Sequence, residues 1–134
     1  MVDAMGGDNA PDEIIKGCIE AVKAKGGFDV ELIGLESEIK RVLHKYHYPQ
    51  DRITIIPASQ IITNTDKPTD AIRHKKDSSL VIGLNRIKEN LGNVFVSAGS
   101  TGALLAGTLL IAGRIPGVLR PALAPIVPSL TGGT

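Results

Sequence analysis

Two hydrophobic rhythms alternate along the chain, and this alternation limits its fold more than any other feature. The two-residue rhythm appears where Phe28, Val30 and Leu32 interleave with Asp29 and Glu31 and predict a strand ending at Gly34. It is replaced by continuous apolar runs at Ile53–Ile56, closed by Pro57, and at Val94–Val96, which read as buried strands. The helical rhythm links Ile14, Cys18 and Val22, flanked by Ile15 and Ile19, with Pro11 at the first helical position, Asp12 and Glu13 in the first turn and Gly26-Gly27 as the stop. Leu35, Ile39, Val42, Leu43 and Tyr46 form a second helix closed by Pro49, and Pro68 opens a short one through Arg73. A further helix carries Leu80, Leu84, Ile87 and Leu91 after Asp77-Ser78 and is capped by Gly92-Asn93, and another spans Gly102 to Gly113. Strand alternating with helix predicts an α/β fold, a mostly parallel open sheet with helices on both faces.

The last helix is apolar around its whole circumference, so it is expected to be buried on every side or to pack against another subunit, with Ala103, Ala106, Gly107 and Gly113 permitting close approach. Beyond Arg114 four prolines favour extended chain, with Leu123 to Val127 a candidate strand. Only three residues precede the first loop, and the sequence ends in TGGT without a closing element, so the reading is of a truncated domain. From Val94 to Gly113 there are 20 uncharged residues, but glycines and hydroxyls split them into strand, turn and helix rather than a membrane span.

Composition narrows the function. With 15 basic and 14 acidic side chains the net charge is +1, too little for a general grip on nucleic acid, and 3% aromatic residues supply few stacking platforms. Any anion must therefore be held locally. Cys18 stands alone, which excludes an internal disulfide or a multi-thiolate metal site and suits a reducing cytoplasm.

In open parallel sheets ligands lie beyond the carboxyl ends of the strands. Two glycine-rich loops fall there, Asp3-Ala4-Met5-Gly6-Gly7-Asp8-Asn9 and Ser97-Ala98-Gly99-Ser100-Thr101-Gly102, each running into a helix start. Their backbone N–H groups can close on an anion, an uncapped helix start adds partial positive charge, and Ser97, Ser100 and Thr101 offer hydroxyl donors. An ordinary tight turn is the competing explanation of the second loop. The tract Arg73-His74-Lys75-Lys76-Asp77-Ser78-Ser79 strengthens a phosphate reading, against a solvated loop with Asp77 or Ser78 as helix cap. Asp3 and Asp8 have two readings, orienting a substrate or metal, or simple capping by Asp8. No GxxxxGK[ST] or GxGxxG occurs, so nucleotide and dinucleotide sites are disfavoured, and His44 and His47 lack a third zinc ligand.

The segments VDAMGGDNAPDEIIKG (Val2 to Gly17), KPTDAIRHKKDSSLVIGL (Lys67 to Leu84), and VSAGSTGALLAG with GRIPGVLRPALAPIVP (Val96 to Pro128) resemble the phosphate acyltransferases of bacterial phospholipid synthesis. The resemblance implies that residues 1–134 are the amino-terminal part of a single α/β catalytic domain, similar in fold to phosphotransacetylase and isocitrate dehydrogenase. It also implies transfer of a fatty acyl group from acyl carrier protein to inorganic phosphate, giving an acyl phosphate that a membrane glycerol-3-phosphate acyltransferase consumes. A cytoplasmic homodimer with peripheral membrane contact, needing no metal or other cofactor, is part of the same expectation. The family's loop usually reads SAGNTGA, and here Ser100 replaces the amide, keeping a donor with shorter reach.

Phosphate is already a nucleophile and a thiol leaves readily, so the enzyme must chiefly orient the reactants and stabilise the oxyanion. Lys76, Ser100 and Thr101 are the expected catalytic residues. Asp8, Lys75, Ser78, Ser79, Ser97, Gly99 and Gly102 are the expected phosphate or acyl phosphate contacts. Two alternatives accompany this reading: a phosphotransacetylase-like enzyme using acyl coenzyme A, and a non-catalytic module for binding phosphate ligands or for dimerisation.

Overall fold

A computed structural model describes residues 1–120 together with Ala122 and Ala124. Three parallel strands, β1 (Val2–Asp3), β2 (Val30–Gly34) and β3 (Ile53–Pro57), lie in the order β1-β2-β3. Val2 is in register with Leu32, and Val30 to Gly34 with Ile53 to Pro57. The helices are α1 (Asp12–Ala24), α2 (Glu36–Leu43), α3 (Pro68–His74), α4 (Ser79–Lys88) and α5 (Thr101–Gly107), the last continued by a π-turn at Thr108–Ala112. The expected α/β class and parallel sheet are therefore present.

One face of the sheet is covered by α1 and α2. Ile15, Ile19 and Val22 of α1 and Ile39, Val42 and Leu43 of α2 form one core with Val30, Leu32 and Ile53. Cys18 lies in this core, and burial pushes its thiol pKa up. At the surface Asp12 ties the two helices together, accepting from Arg41 at 2.9 Å and Lys45 at 2.7 Å. The other face is covered by α4, whose Arg86 grips both carboxylate oxygens of Glu31 on β2 at 2.8 and 2.9 Å. A second core joins Ile72 of α3, Leu80, Val81 and Leu84 of α4 and Ala103 of α5.

Four expectations about these elements are corrected. Pro11 precedes α1 as its cap residue rather than opening it. Helix α4 stops at Lys88, short of Gly92-Asn93: Asn90 takes the left-handed conformation (φ 58°), and Leu91 N–H and Asn90 N–H bond back to the Arg86 and Ile87 carbonyls. This is the paired bonding of a Schellman ending, which asparagine tolerates nearly as well as glycine. Val94–Val96 runs alongside β1 as a single bridge rather than a full strand, joined by backbone bonds from Met1 N to Val94 O, Val96 N to Met1 O and Asp3 N to Val96 O. Finally, α5 is not buried on every side in this chain. Gly107 packs into Leu84 and Ile72 as its small size allows, whereas Leu109 and Leu110 are 41% and 55% exposed. The candidate strand Leu123 to Val127 lies, apart from Ala124, outside the described residues. Among the described residues no helix is long and apolar enough to cross a membrane.

Candidate phosphate site

The loop after β1 and the loop before α5 are fastened to each other by one buried acid. Asp3 ends β1 and is 3% exposed. Its Oδ1 accepts from Met5 N–H at 3.1 Å within its own loop, and its Oδ2 accepts from Ser97 Oγ at 2.8 Å across to the other. Ser97 Oγ in turn accepts from Gly99 N–H at 3.1 Å. The two loops press so closely that a Cβ on Gly6 would stand 2.7 Å from Asp3 Oδ2, 2.8 Å from Gly99 N and 3.0 Å from Ser97 Oγ, a space only glycine can occupy. Gly34, at the end of β2, leaves room in the same way for Met5, so three strand ends share one closely packed edge.

Helix α5 begins from this edge. Ser100 Oγ accepts from Ala103 N–H at 3.3 Å, so Ser100 caps the helix, while Thr101 and Gly102 are exposed at its first turn. The helix start is therefore capped rather than bare, yet a single side-chain cap claims only one of the donors a helix start leaves over. Gly102 faces Pro68, the first residue of α3, with 2.9 Å between its would-be Cβ and the proline Cγ.

The basic tract is held at the end of β3. Asp77 accepts from Ser59 N–H at 2.9 Å and from the Ser59 hydroxyl, and Gln60 bridges to Ser78, so the turn between α3 and α4 docks just beyond that strand. Lys75 donates to the Ile61 carbonyl at 2.8 Å and to Asp66 at 2.6 Å. This ammonium, together with the Thr63 N–H and hydroxyl, holds the Asp66 carboxyl down at about 2. Ser78 is fully buried, capping α4 through Val81 N–H and donating to the Lys75 carbonyl, and Ser79 is buried beside it. Lys76 and Asp8 are exposed, and Lys76 makes no hydrogen bond or ion pair among the described residues.

The expected site residues thus separate by environment. Lys76, Thr101, Gly102 and Asp8 face solvent, and Ser97, Gly99 and Ser100 are half-buried with their hydroxyls or amide already engaged in the loop pair and the cap. Lys75, Ser78 and Ser79 are built into the frame. Both groups lie along the carboxyl edge of the sheet, and among the described residues no hydrogen bond joins Lys75–Ser79 to Ser97–Gly102. The same holds for metal binding: no group of three or more His, Cys, Asp or Glu is placed to hold an ion among the described residues.

A family model described as "Fatty acid synthesis protein" matches residues 1–134. The chain belongs to that family. Proteins named phosphate acyltransferase in Halothermothrix orenii and Acetivibrio thermocellus are 48% identical over 134 residues and 52% identical over 132 residues, covering 100% and 98% of this chain. A phosphate acyltransferase of Alkaliphilus oremlandii is 50% identical over 134 residues. The chain spans about two-fifths of the length of these relatives, 40%, 39% and 39% respectively. Sequence reasoning about this family member left Asp3 ambiguous, and the structure makes it the clasp between the two loops. Asp3 is legible as an acid at a strand end just before a glycine-rich loop and Ser97 as a hydroxyl in the second such loop, but no sequence pattern pairs the two across 94 residues.

Proposed function

We propose that this chain is the amino-terminal part of a single α/β catalytic domain of a phosphate acyltransferase, acting in the cytoplasm as a homodimer with peripheral contact to the membrane. The observation that carries the reading is the 48 to 52% identity, along nearly the whole chain, to proteins of that name. The donor is the thioester of a fatty acyl group on acyl carrier protein. A phosphate oxygen forms a bond to the thioester carbonyl carbon, the carbon–sulfur bond breaks, the thiolate takes up a proton, and the acyl phosphate passes to a membrane glycerol-3-phosphate acyltransferase.

In this reading Lys76 draws phosphate towards the edge of the sheet, Thr101 with the N–H of Gly102 holds it or the developing oxyanion, and Gly99, whose N–H donates to Ser97 Oγ, lets the loop backbone approach it. Ser97 and Ser100 keep those donors aimed, while Lys75, Ser78 and Ser79 hold the tract that presents Lys76, and Asp8 borders the entrance. The exposure of Lys76, Thr101 and Gly102 on the edge where ligands of parallel sheets bind supports these roles.

The test is phosphate-dependent release of free thiol from acyl carrier protein by the full-length protein that contains this chain. Faster turnover of coenzyme A thioesters would favour the phosphotransacetylase-like alternative, and no phosphate-dependent release from either donor would refute the activity. Lys76→Met is expected to raise the KM for phosphate with less effect on kcat, and an unchanged KM would remove that residue from the site.

A further inference from the structure

Asp3 is an expensive way to fill its space. It is 3% exposed and forms no ion pair among the described residues, and a buried carboxylate without a counter-charge costs stability unless its hydrogen bonds repay it. What those bonds hold is informative. Asp3 N–H donates to the Val96 carbonyl at 2.9 Å, while its Oδ2 accepts from the hydroxyl of Ser97, the next residue, at 2.8 Å. The start of the second loop is thus gripped at two consecutive residues by the backbone and side chain of a single residue. The other carboxylate oxygen, Oδ1, accepts from Met5 N–H at 3.1 Å in the first loop.

This grip passes along the second loop towards α5. Ser97 Oγ, oriented by donating to Asp3, accepts from Gly99 N–H at 3.1 Å, and Ser100 Oγ then accepts from Ala103 N–H at 3.3 Å. Thr101 and Gly102 lie between these fixed points with their surfaces exposed. Packing gives the carboxylate no second position, since a Cβ on Gly6 would stand 2.7 Å from Oδ2 and one on Gly99 3.6 Å from it. The charge is also chemically specific. Of the side chains with this shape, only a carboxylate accepts at both terminal atoms; asparagine accepts at one and donates at the other, so it cannot serve Met5 N–H and the Ser97 hydroxyl together.

We propose that Asp3 is a positioning residue for phosphate: without touching it, the carboxylate fixes, through Ser97, the direction in which Thr101 and the Gly102 N–H present themselves. The proposal rests on the phosphate acyltransferase reading above. It explains why an acid stands beside a site for an anion, where its own charge is unfavourable. The charge is turned inward, and both oxygens are occupied by the two loops.

The experiment measures phosphate-dependent thiol release by the full-length protein, at a temperature where circular dichroism shows every variant folded. Asp3→Asn should raise the KM for phosphate about tenfold, the worth of about one hydrogen bond to an anion. Ser97→Ala, which spares the Met5 bond, should do the same and carries the test if Asp3→Asn does not fold. Combining the two should raise KM little further, because both break the same link. Val22→Ala, a cavity in the core near the far end of α1, should lower stability and leave the KM for phosphate unchanged. If the parent releases no thiol, the activity reading falls and this role falls with it. If the parent is active, the role alone is overturned by an unchanged KM in Asp3→Asn and Ser97→Ala, by an equal rise in Val22→Ala, or by a full second increase in the double variant.

Discussion

Replacing Ser97 by alanine removes the hydroxyl through which the loop before α5 is joined to Asp3 and the loop after β1. Two hydrogen bonds are lost together, from Ser97 Oγ to the buried Asp3 carboxylate at 2.8 Å and from Gly99 N–H to Ser97 Oγ at 3.1 Å. The first leaves a buried carboxylate oxygen without its partner, so the combined cost is about 2–3 kcal/mol. For 134 residues this corresponds to a fall in Tm of roughly 7–11 °C. Urea unfolding followed by circular dichroism should show a lower midpoint with an unchanged slope, because the loss is local and the surface exposed on unfolding is the same. Asp3→Asn tests the partnership from the other end. The double variant should cost about 1–2 kcal/mol less than the sum of the single changes, since each has already broken the shared bond. A Ser97→Ala loss below about 0.5 kcal/mol, or strict additivity with Asp3→Asn, would show that the clasp does not hold the loops and would refute the reasoning.

Gly6→Ala should destabilise by about 1–3 kcal/mol, because its Cβ meets backbone and buried polar atoms, whereas Gly17→Ala on α1, where nothing lies within 4 Å, should stabilise by about 0.5–1 kcal/mol; thermal unfolding of the two variants checks both signs. The Asp12 carboxyl is held at about 2 by hydrogen bonds from Arg41 and Lys45, below its ordinary 3.8. Its contribution to stability is therefore complete above about pH 4 and is lost as the pH falls through about 2. Urea midpoints of the parent and Asp12→Asn should differ at neutral pH and converge near pH 2, and a difference independent of pH would contradict the pairing.

Much of the fold was legible because it rests on local rules. The helical spacing of Ile15, Cys18, Ile19 and Val22 and the strand ending at Gly34 depend on neighbours in sequence; the helix buries these residues, and the strand ends where expected but starts at Val30 rather than Phe28. Boundaries moved where a competing local device acted, as with Asn90 ending α4 before Gly92. Val94–Val96 pairs with β1 through a single bridge, a tertiary outcome that an apolar run alone does not disclose. The candidate site divides on the same line. That the glycine-rich loops would lie at strand ends follows from their position after apolar runs, and that the basic tract would precede a helix start follows from Asp77-Ser78; its docking at the end of β3 does not. That Lys75 would be consumed by Asp66, Ser78 by the start of α4, and Ser97 by Asp3 depends on contacts across loops, which residue type alone does not reveal.

The most direct test of the account is a phosphate titration of the full-length protein followed through backbone amide resonances. Saturable shifts centred on Gly99, Thr101 and Gly102, weakened by Lys76→Met, are the predicted result. Shifts confined to other parts of the chain, or a response at these amides that Lys76→Met leaves intact, would contradict it.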